Sequence, residues 1–251
     1  MSRALAVPAL AVLVLALSHP ARAADEPKDV VAKAIKAHGG EDALSKYKAG
    51  QIKSKGTITI PGVGETEYSQ EVSYMLPDKF RDSMELKIGG QTISVFTLIN
   101  GDKVTLEING KALEGQEDKV KEAIKNVGHM MEVSRMVTLK DKAYDLSLIG
   151  EDKVEGKKVI GVRVSKKGQS DVSLYFDKET HLLAKIEYRT TDPNTGNEIT
   201  EERFPSGYEK NKDGLPVAKK VLVKRDGKTF LEGEVLETKY FEKLDDADFK
   251  K

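Results

Sequence analysis

The sequence predicts a mainly β protein with a few helices (α+β), built around one large antiparallel sheet. Three observations carry this. From Gly50 onward, apolar residues recur in short runs with period 2. Turn signals stand between these runs, among them Gly89-Gly90, Asn100-Gly101, Asn109-Gly110, Glu155-Gly156, Lys167-Gly168 and Asp226-Gly227. One amphipathic helix interrupts the series near its middle. About eleven strands, spaced roughly 8–12 residues apart, have the rhythm of a barrel or a sandwich.

The chain has 251 residues, with 41 basic and 41 acidic side chains, 39% hydrophobic and 33% charged residues, and no cysteine or tryptophan. A balanced charge argues against a dedicated nucleic-acid binder. The missing cysteine excludes disulfides, thiol catalysis, cysteine zinc sites and a lipoprotein cysteine anchor. Residues 1–23 read as a cleaved signal peptide. Arg3 gives the positive start, Ala4–Leu17 is apolar apart from Pro8, and Ala21-Arg22-Ala23 supplies the small-residue cleavage site. The apolar run is about 14 residues, short of the roughly 20 that span a bilayer. The expected mature chain is a single domain over residues 24–251 without a transmembrane segment, placed in the periplasm.

The elements follow in order. Val30, Val31, Ala34 and Ile35 share one helical face, and Gly39-Gly40 ends that helix. Glu41–Tyr47 adds a further turn or two. Ile52, Ile58 and Ile60 alternate with polar residues after the switch to period 2. Tyr68, Val72, Tyr74 and Leu76 form the next apolar face, then Phe80, Met84, Leu86 and Ile88. Ile93, Val95, Phe96, Leu98 and Ile99 make a more continuously apolar strand. The Asn-Gly pairs predict tight hairpins, because both central positions of a type I′ turn need positive φ. Residues 116–136 then carry Val120, Ile124, Val127 and Met131 at helical spacing, a helix of about five turns weakened at Gly128. Strands resume near Tyr144 and run to Tyr240. The acidic segment Asp245-Asp246-Ala247-Asp248 reads as a solvated tail.

Motifs of chemistry are sparse. His38, His129 and His181 lie far apart and show no metal-ligand spacing; His38 sits at a helix end, where a cation suits the dipole. Ser45-Lys46-Tyr47-Lys48 has the serine-lysine spacing, but about one or two such matches arise by chance in a lysine-rich chain, and the partner motifs are missing. Asp192–Glu198 lacks the calcium-loop pattern. No phosphate loop, nucleophile elbow or cofactor motif occurs. Lys219, Lys220 and Lys224 against Glu232, Glu234 and Glu237 read as cross-strand ion pairs on a wet face. Met130, Met131 and Met136 gather on or near the internal helix, and methionine suits adaptable apolar surfaces.

Several stretches resemble the LolA/LolB-like superfamily, more closely its outer membrane lipoprotein-sorting group. They are Val31–Leu44 with His38-Gly39-Gly40, the strand ending near Gly56-Thr57-Ile58, Val154–Val162, Leu174–Leu183 with Asp177-Lys178-Glu179-Thr180, and the closing Leu244–Phe249. The resemblance implies a half-open antiparallel β-barrel covered by a helical lid, whose apolar interior holds acyl chains. It implies no enzyme and no cofactor. The expected function is a periplasmic carrier or binder of the acyl chain of a lipoprotein or lipid, with envelope membrane proteins as further partners. The expected lining is Ile58, Val72, Tyr74, Phe80, Met84, Leu86, Phe96 and Leu98, and the lid would contribute Ile124, Val127, Met130 and Met131. The alternative is an envelope protein-interaction or sensor domain on the same fold.

Overall fold

The computed structural model describes residues 26–75, 78–115, 117–192 and 195–251, without the side chains of Glu117 and Val120. The expected signal peptide, Leu76 of the expected β face, Pro77, the expected helix start at Gln116, and Pro193 and Asn194 of the 192–198 segment lie outside the described residues.

The chain opens with α1 (Pro27–Ala37) and the short α2 (Glu41–Lys46). Six strands follow: β1 (Ala49–Ile60), β2 (Gly64–Met75), β3 (Lys79–Ile88), β4 (Gln91–Asn100), β5 (Lys103–Ile108) and β6 (Lys111–Ala112). Next come α3 (Glu117–Ser134) and a 3-10 turn, η1 (Val137–Lys140). The second half holds β7 (Tyr144–Val154), β8 (Lys157–Lys166), β9 (Val172–Asp177), β10 (Leu183–Thr191), β11 (Glu198–Ser206), β12 (Glu209–Lys210), β13 (Pro216–Val217), β14 (Lys220–Arg225) and β15 (Lys228–Phe241), closed by η2 (Asp246–Phe249). Thirteen strands form one sheet in the order β6-β5-β4-β3-β2-β1-β15-β14-β11-β10-β9-β8-β7, and β12 and β13 form a separate pair. The expected eleven becomes thirteen plus two because stubs such as β6 are too short to show a period.

This topology makes the sheet curl. β6 and β7 are its two edges, and α3 lies in the connection between them. α3 touches β5 near one edge and β9 and β10 near the other. In a flat sheet β5 and β10 would sit eight strand spacings apart, roughly 38 Å. A helix of 18 residues reaches roughly 27 Å. The strands therefore wrap around the helix, and the face that meets α3 is the interior. The edges do not pair with each other, so the barrel is half open, with α3 set between β5 on one side and β9 and β10 on the other.

The turn chemistry is visible in the backbone. Asn109-Gly110, Glu155-Gly156 and Asp226-Gly227 each carry positive φ at both residues, as type I′ hairpins require. At Asn100-Gly101 only the glycine does, because Asn100 still pairs with Lys103 as the last residue of β4.

The main core lies where α1, α3 and η1 cover β7–β10. Val30, Val31, Ala34, Ile35, Met130, Val133, Met136 and Leu139 pack there on Val162, Val164, Val172, Leu174, Phe176 and Ile186. Each such side chain taken fully out of water contributes about 1.5–3 kcal/mol. α3 ends at Ser134, two residues before the expected limit, and Met136 takes a left-handed φ of 63° that turns the chain into η1. The acidic tail is folded rather than solvated throughout. Asp245 and Asp248 form a capping box for η2, which seats the buried Phe249 near Ala49, Met75 and Leu98 on the outer face. His38 closes α1 as its C-cap residue and is part-buried. Burial lowers its pKa more than the hydrogen bond between Nδ1 and the Ala34 carbonyl raises it.

Candidate functional site

Strand register decides which side chains face inward. Gly50, Ile52, Ser54 and Ile58 of β1 pair with Tyr74, Val72, Gln70 and Thr66 of β2. On β3 the same face carries Phe80, Asp82, Met84 and Leu86, and on β4 it carries Ile99, Thr97, Val95 and Ile93. Across β15 and β14 it continues through Leu231 and Val223 to Arg203, Ile186, Leu174 and Val162, under α1 and α3. One continuous interior face thus spans the sheet.

That face is dry on one side and partly wet on the other. Under the helices Val162, Val164, Leu174 and Phe176 are at most 1% exposed. On β1–β4 Ile58, Tyr68 and Leu86 are buried, whereas Val72, Phe80, Met84, Ile93 and Val95 stay partly exposed. Ile58, Tyr68, Leu86, Met84, Ile93 and Val95 form a second apolar cluster with Phe230 and Leu231, to which the described helix residues add no member. Two glycines shape its floor. A Cβ on Gly50 would meet the Tyr74 ring at 2.6 Å, and one on Gly233 would meet the Tyr68 hydroxyl at 2.3 Å. Both tyrosines therefore lie low along the sheet, where a larger residue on the neighbouring strand would lift them.

The expected lining residues separate by parity. Ile58, Val72, Tyr74, Phe80, Met84 and Leu86 share the interior face. Phe96 and Leu98 sit on the opposite face, because they pair with Ser83 and Arg81. Arg81 stacks over the Phe96 ring at 5.4 Å, and Leu98 packs against the η2 cluster. Their place in the interior set is corrected accordingly. The near-continuous apolar run of β4 hides its alternation, because both of its faces are covered. In α3, Met130 is buried in the main core and Val127 and Met131 pack against it, while Ile124 is half-buried.

A charged stripe divides the two apolar clusters. Glu201, 2% exposed, receives hydrogen bonds from the Tyr188 hydroxyl (2.6 Å), Arg203 Nε (2.9 Å) and Arg225 Nε (3.1 Å). Burial alone would raise the Glu201 pKa; Arg203, Tyr188 and Arg225 outweigh it and hold the carboxyl below its ordinary range. Burial pushes the Tyr188 phenol up to about 12. Arg225 also stacks on Phe230 at 3.5 Å, joining the stripe to the second cluster.

A shorter polar row crosses the second cluster. The Ser54 hydroxyl lies 3.5 Å from Gln70 Oε1, and Gln70 Nε2 donates to Asp82 Oδ2 at 2.9 Å. Asp82 keeps part of its surface open, yet its Oδ1 is shut off from solvent and accepts no hydrogen bond. Burial lifts this carboxyl to about 6, against a smaller lowering by Gln70.

Polar ties hold α3 over the sheet. Lys121 pairs with Asp102 at 3.0 Å, Asn126 Nδ2 reaches Thr190 at 3.5 Å, and just past the helix Arg135 donates to the carbonyls of Leu44 and Tyr47. His129 is buried on α3 with Nε2 unpartnered. A polar cleft of about 340 Å³ opens beside the helix, lined by Glu122, Lys125, Asn126, Ser170, Arg189 and Glu198 among others. Among the described residues no group of His, Asp and Glu could hold a metal ion, and no helix is long and apolar enough to cross a membrane.

Sequence reasoning missed Asp82, Arg135 and the Glu201 network. A signal existed for Asp82: it is the charged member of an otherwise apolar alternation, Phe80-x-Asp82-x-Met84-x-Leu86. Glu201 and Arg203 likewise sit two apart on the face of Ile199. Arg135 had no such signal, since its partners are distant carbonyls.

No protein-family model matches the chain, and no curated protein matches its sequence. Solved structures do match its shape. A LolA superfamily protein from Nitrosomonas europaea aligns with a TM-score of 0.53 at 10% identity, covering 91% of this chain and 99% of that one. A DUF1329 family protein from Desulfovibrio piger aligns with a TM-score of 0.52 at 16% identity, covering 90% and 98%. At these identities the likeness shows the fold, which is LolA-like.

Proposed function

We propose, from the LolA-like fold as premise, that this protein is a non-enzymatic periplasmic carrier or binder of an acylated or lipid ligand, lipoproteins on their way to the outer membrane included. The observation that supports this best is the divided interior face. Its apolar surface is sealed by helices over β7–β10 and left partly open over β1–β4. A hydrocarbon tail exposed to water costs about 0.8 kcal/mol per CH₂, so a sixteen-carbon chain costs roughly 12 kcal/mol. A carrier must cover that surface and later release it. A trough whose cover is held by a few polar ties meets both needs. Met84 in the floor gives it an adaptable wall.

The test is titration of delipidated protein with a fluorescent fatty acid and a fluorescent lipopeptide, with native mass spectrometry of gently purified protein alongside. Saturable uptake or a copurifying lipid supports the reading; absence of both removes it. One observation favours the alternative, an envelope protein-interaction domain. β7 is an unpaired edge strand with Leu148 and Ile149 exposed. Its register shift at Leu148–Gly150 also interrupts that edge, a feature that blunts strand addition.

A further inference from the structure

We infer that the row Ser54–Gln70–Asp82 is an anchoring site, set in the floor of the trough, for the head of an amphiphile bearing a protonated amine. The inference rests on the carrier reading and adds the class of head group. Its first ground is placement. The interior-facing residues of β1–β5 are Gly, Ile, Ser, Thr, Tyr, Gln, Val, Phe, Met and Leu, with Asp82 the single charged residue. The other charges of β2 and β3 stand at alternate positions on the outer face, where Lys53 pairs with Glu71 and Lys79 with Asp246. Asp82 itself makes no ion pair, and Arg81 beside it turns outward over Phe96. Among the described residues no cation pairs with this carboxylate.

The second ground is the unused oxygen. Ser54 and Gln70 form a short relay that presents one donor to Oδ2 and leaves Oδ1 with none. A buried carboxylate without full hydrogen bonding is unfavourable. Such groups cluster at functional sites, where a ligand can complete them. An ammonium supplies both what is missing, a positive charge and up to three donors. A neutral hydroxyl supplies only a donor, and a fatty-acid carboxylate adds a like charge. Because Asp82 is partly open, rotation of its carboxylate brings the free oxygen to the trough. The tail would then lie along Met84, Leu86, Ile93 and Val95.

The experiment measures binding of n-decylamine, n-decanol and n-decanoate to delipidated protein by calorimetry at pH 7.5, below their aggregation limits. It is run on the natural sequence, Asp82→Asn and Asp82→Ala, with Glu71→Gln as a control on the outer face. Circular dichroism verifies folding. The amine is expected to bind at least about tenfold tighter than the alcohol. That preference should vanish in both Asp82 variants while alcohol binding persists, and Glu71→Gln should behave like the natural sequence. Equal binding of amine and alcohol by the natural sequence overturns the inference and leaves the carrier reading standing. So does an amine preference that survives in the Asp82 variants. Failure of all three probes and of the fluorescent fatty acid removes the carrier reading, and the anchoring site with it.

Discussion

Replacing Asp82 by asparagine should make this protein more stable at neutral pH. The carboxyl titrates at 3.8 in its ordinary state and at about 6 in the folded protein, chiefly because burial disfavours its charge. The native state therefore holds its proton more tightly than the unfolded chain does. Below the unfolded value both states are protonated and the group imposes no penalty. As pH rises through the folded value the native carboxyl is forced to ionise in an unfavourable place, and stability falls. A separation of about two pH units corresponds to about 3 kcal/mol at pH 7.5. Asparagine can keep the bond from Gln70 through its carbonyl oxygen and carries no charge. It should recover up to about 3 kcal/mol, less whatever its own amide loses by burial. Urea unfolding of both proteins between pH 4 and pH 8 is the assay. The variant should lead at pH 7.5, and its lead should shrink towards pH 4. A lead that is absent at pH 7.5, or constant across the range, would refute the reasoning.

Other outcomes follow from the same geometry. Glu201→Ala should cost about 3–5 kcal/mol in chemical denaturation, because Arg203 and Arg225 would be left without their shared carboxylate. Acid should weaken the natural protein through the same group, since a carboxyl held below its ordinary range contributes stability that disappears as pH falls through its folded value. His129 acts in the same direction by another route. Burial, opposed by nearby Glu132 and reinforced by Lys166, lowers its pKa, so protonation favours the unfolded side as pH drops below about 6.5; hydrogen exchange in residues 121–134 should quicken at pH 5 before that of β7–β10. Phe249→Ala should cost about 3–5 kcal/mol of stability without changing fatty-acid affinity, since that side chain is buried on the outer face. Finally, Met84→Lys should abolish uptake of a fluorescent fatty acid, whereas Phe96→Lys should leave it intact, a contrast that reads the strand register directly.

The sheet was legible because its signals are local. Alternation in Phe80–Ile88, the Asn109-Gly110 and Asp226-Gly227 turns, and the stripe of α3 each need only a few neighbouring residues to be read. The strand stub β6, the η1 turn and the docking of Phe249 were not legible, since each depends on contacts made only after the sheet exists. Phe96 and Leu98 were placed on the wrong face for a related reason. A strand covered on both sides shows no polar side, and parity has to be carried in from its neighbours. That Ile58, Val72, Tyr74, Phe80, Met84 and Leu86 share a face was readable because β1–β3 carry polar residues on the other. Asp82 broke that pattern in plain view, but only the coordinates show that one of its oxygens lacks a partner.

β1 lies against β15, the first strand against the last. β1–β6 and β7–β14 are two separate runs of strands, and although α1 and α3 touch the second run and α3 also touches β5, no strand pairing joins the two until the fourteen-residue β15 is in place. That seam has the longest sequence separation in the sheet, so its pairing carries the largest loop-closure cost. Until it closes, the interior face of the sheet is not continuous from β1 to β14. The curvature of the whole sheet therefore hangs on a single ladder between its most distant partners, and a break in β15 would part the molecule there into two half-sheets.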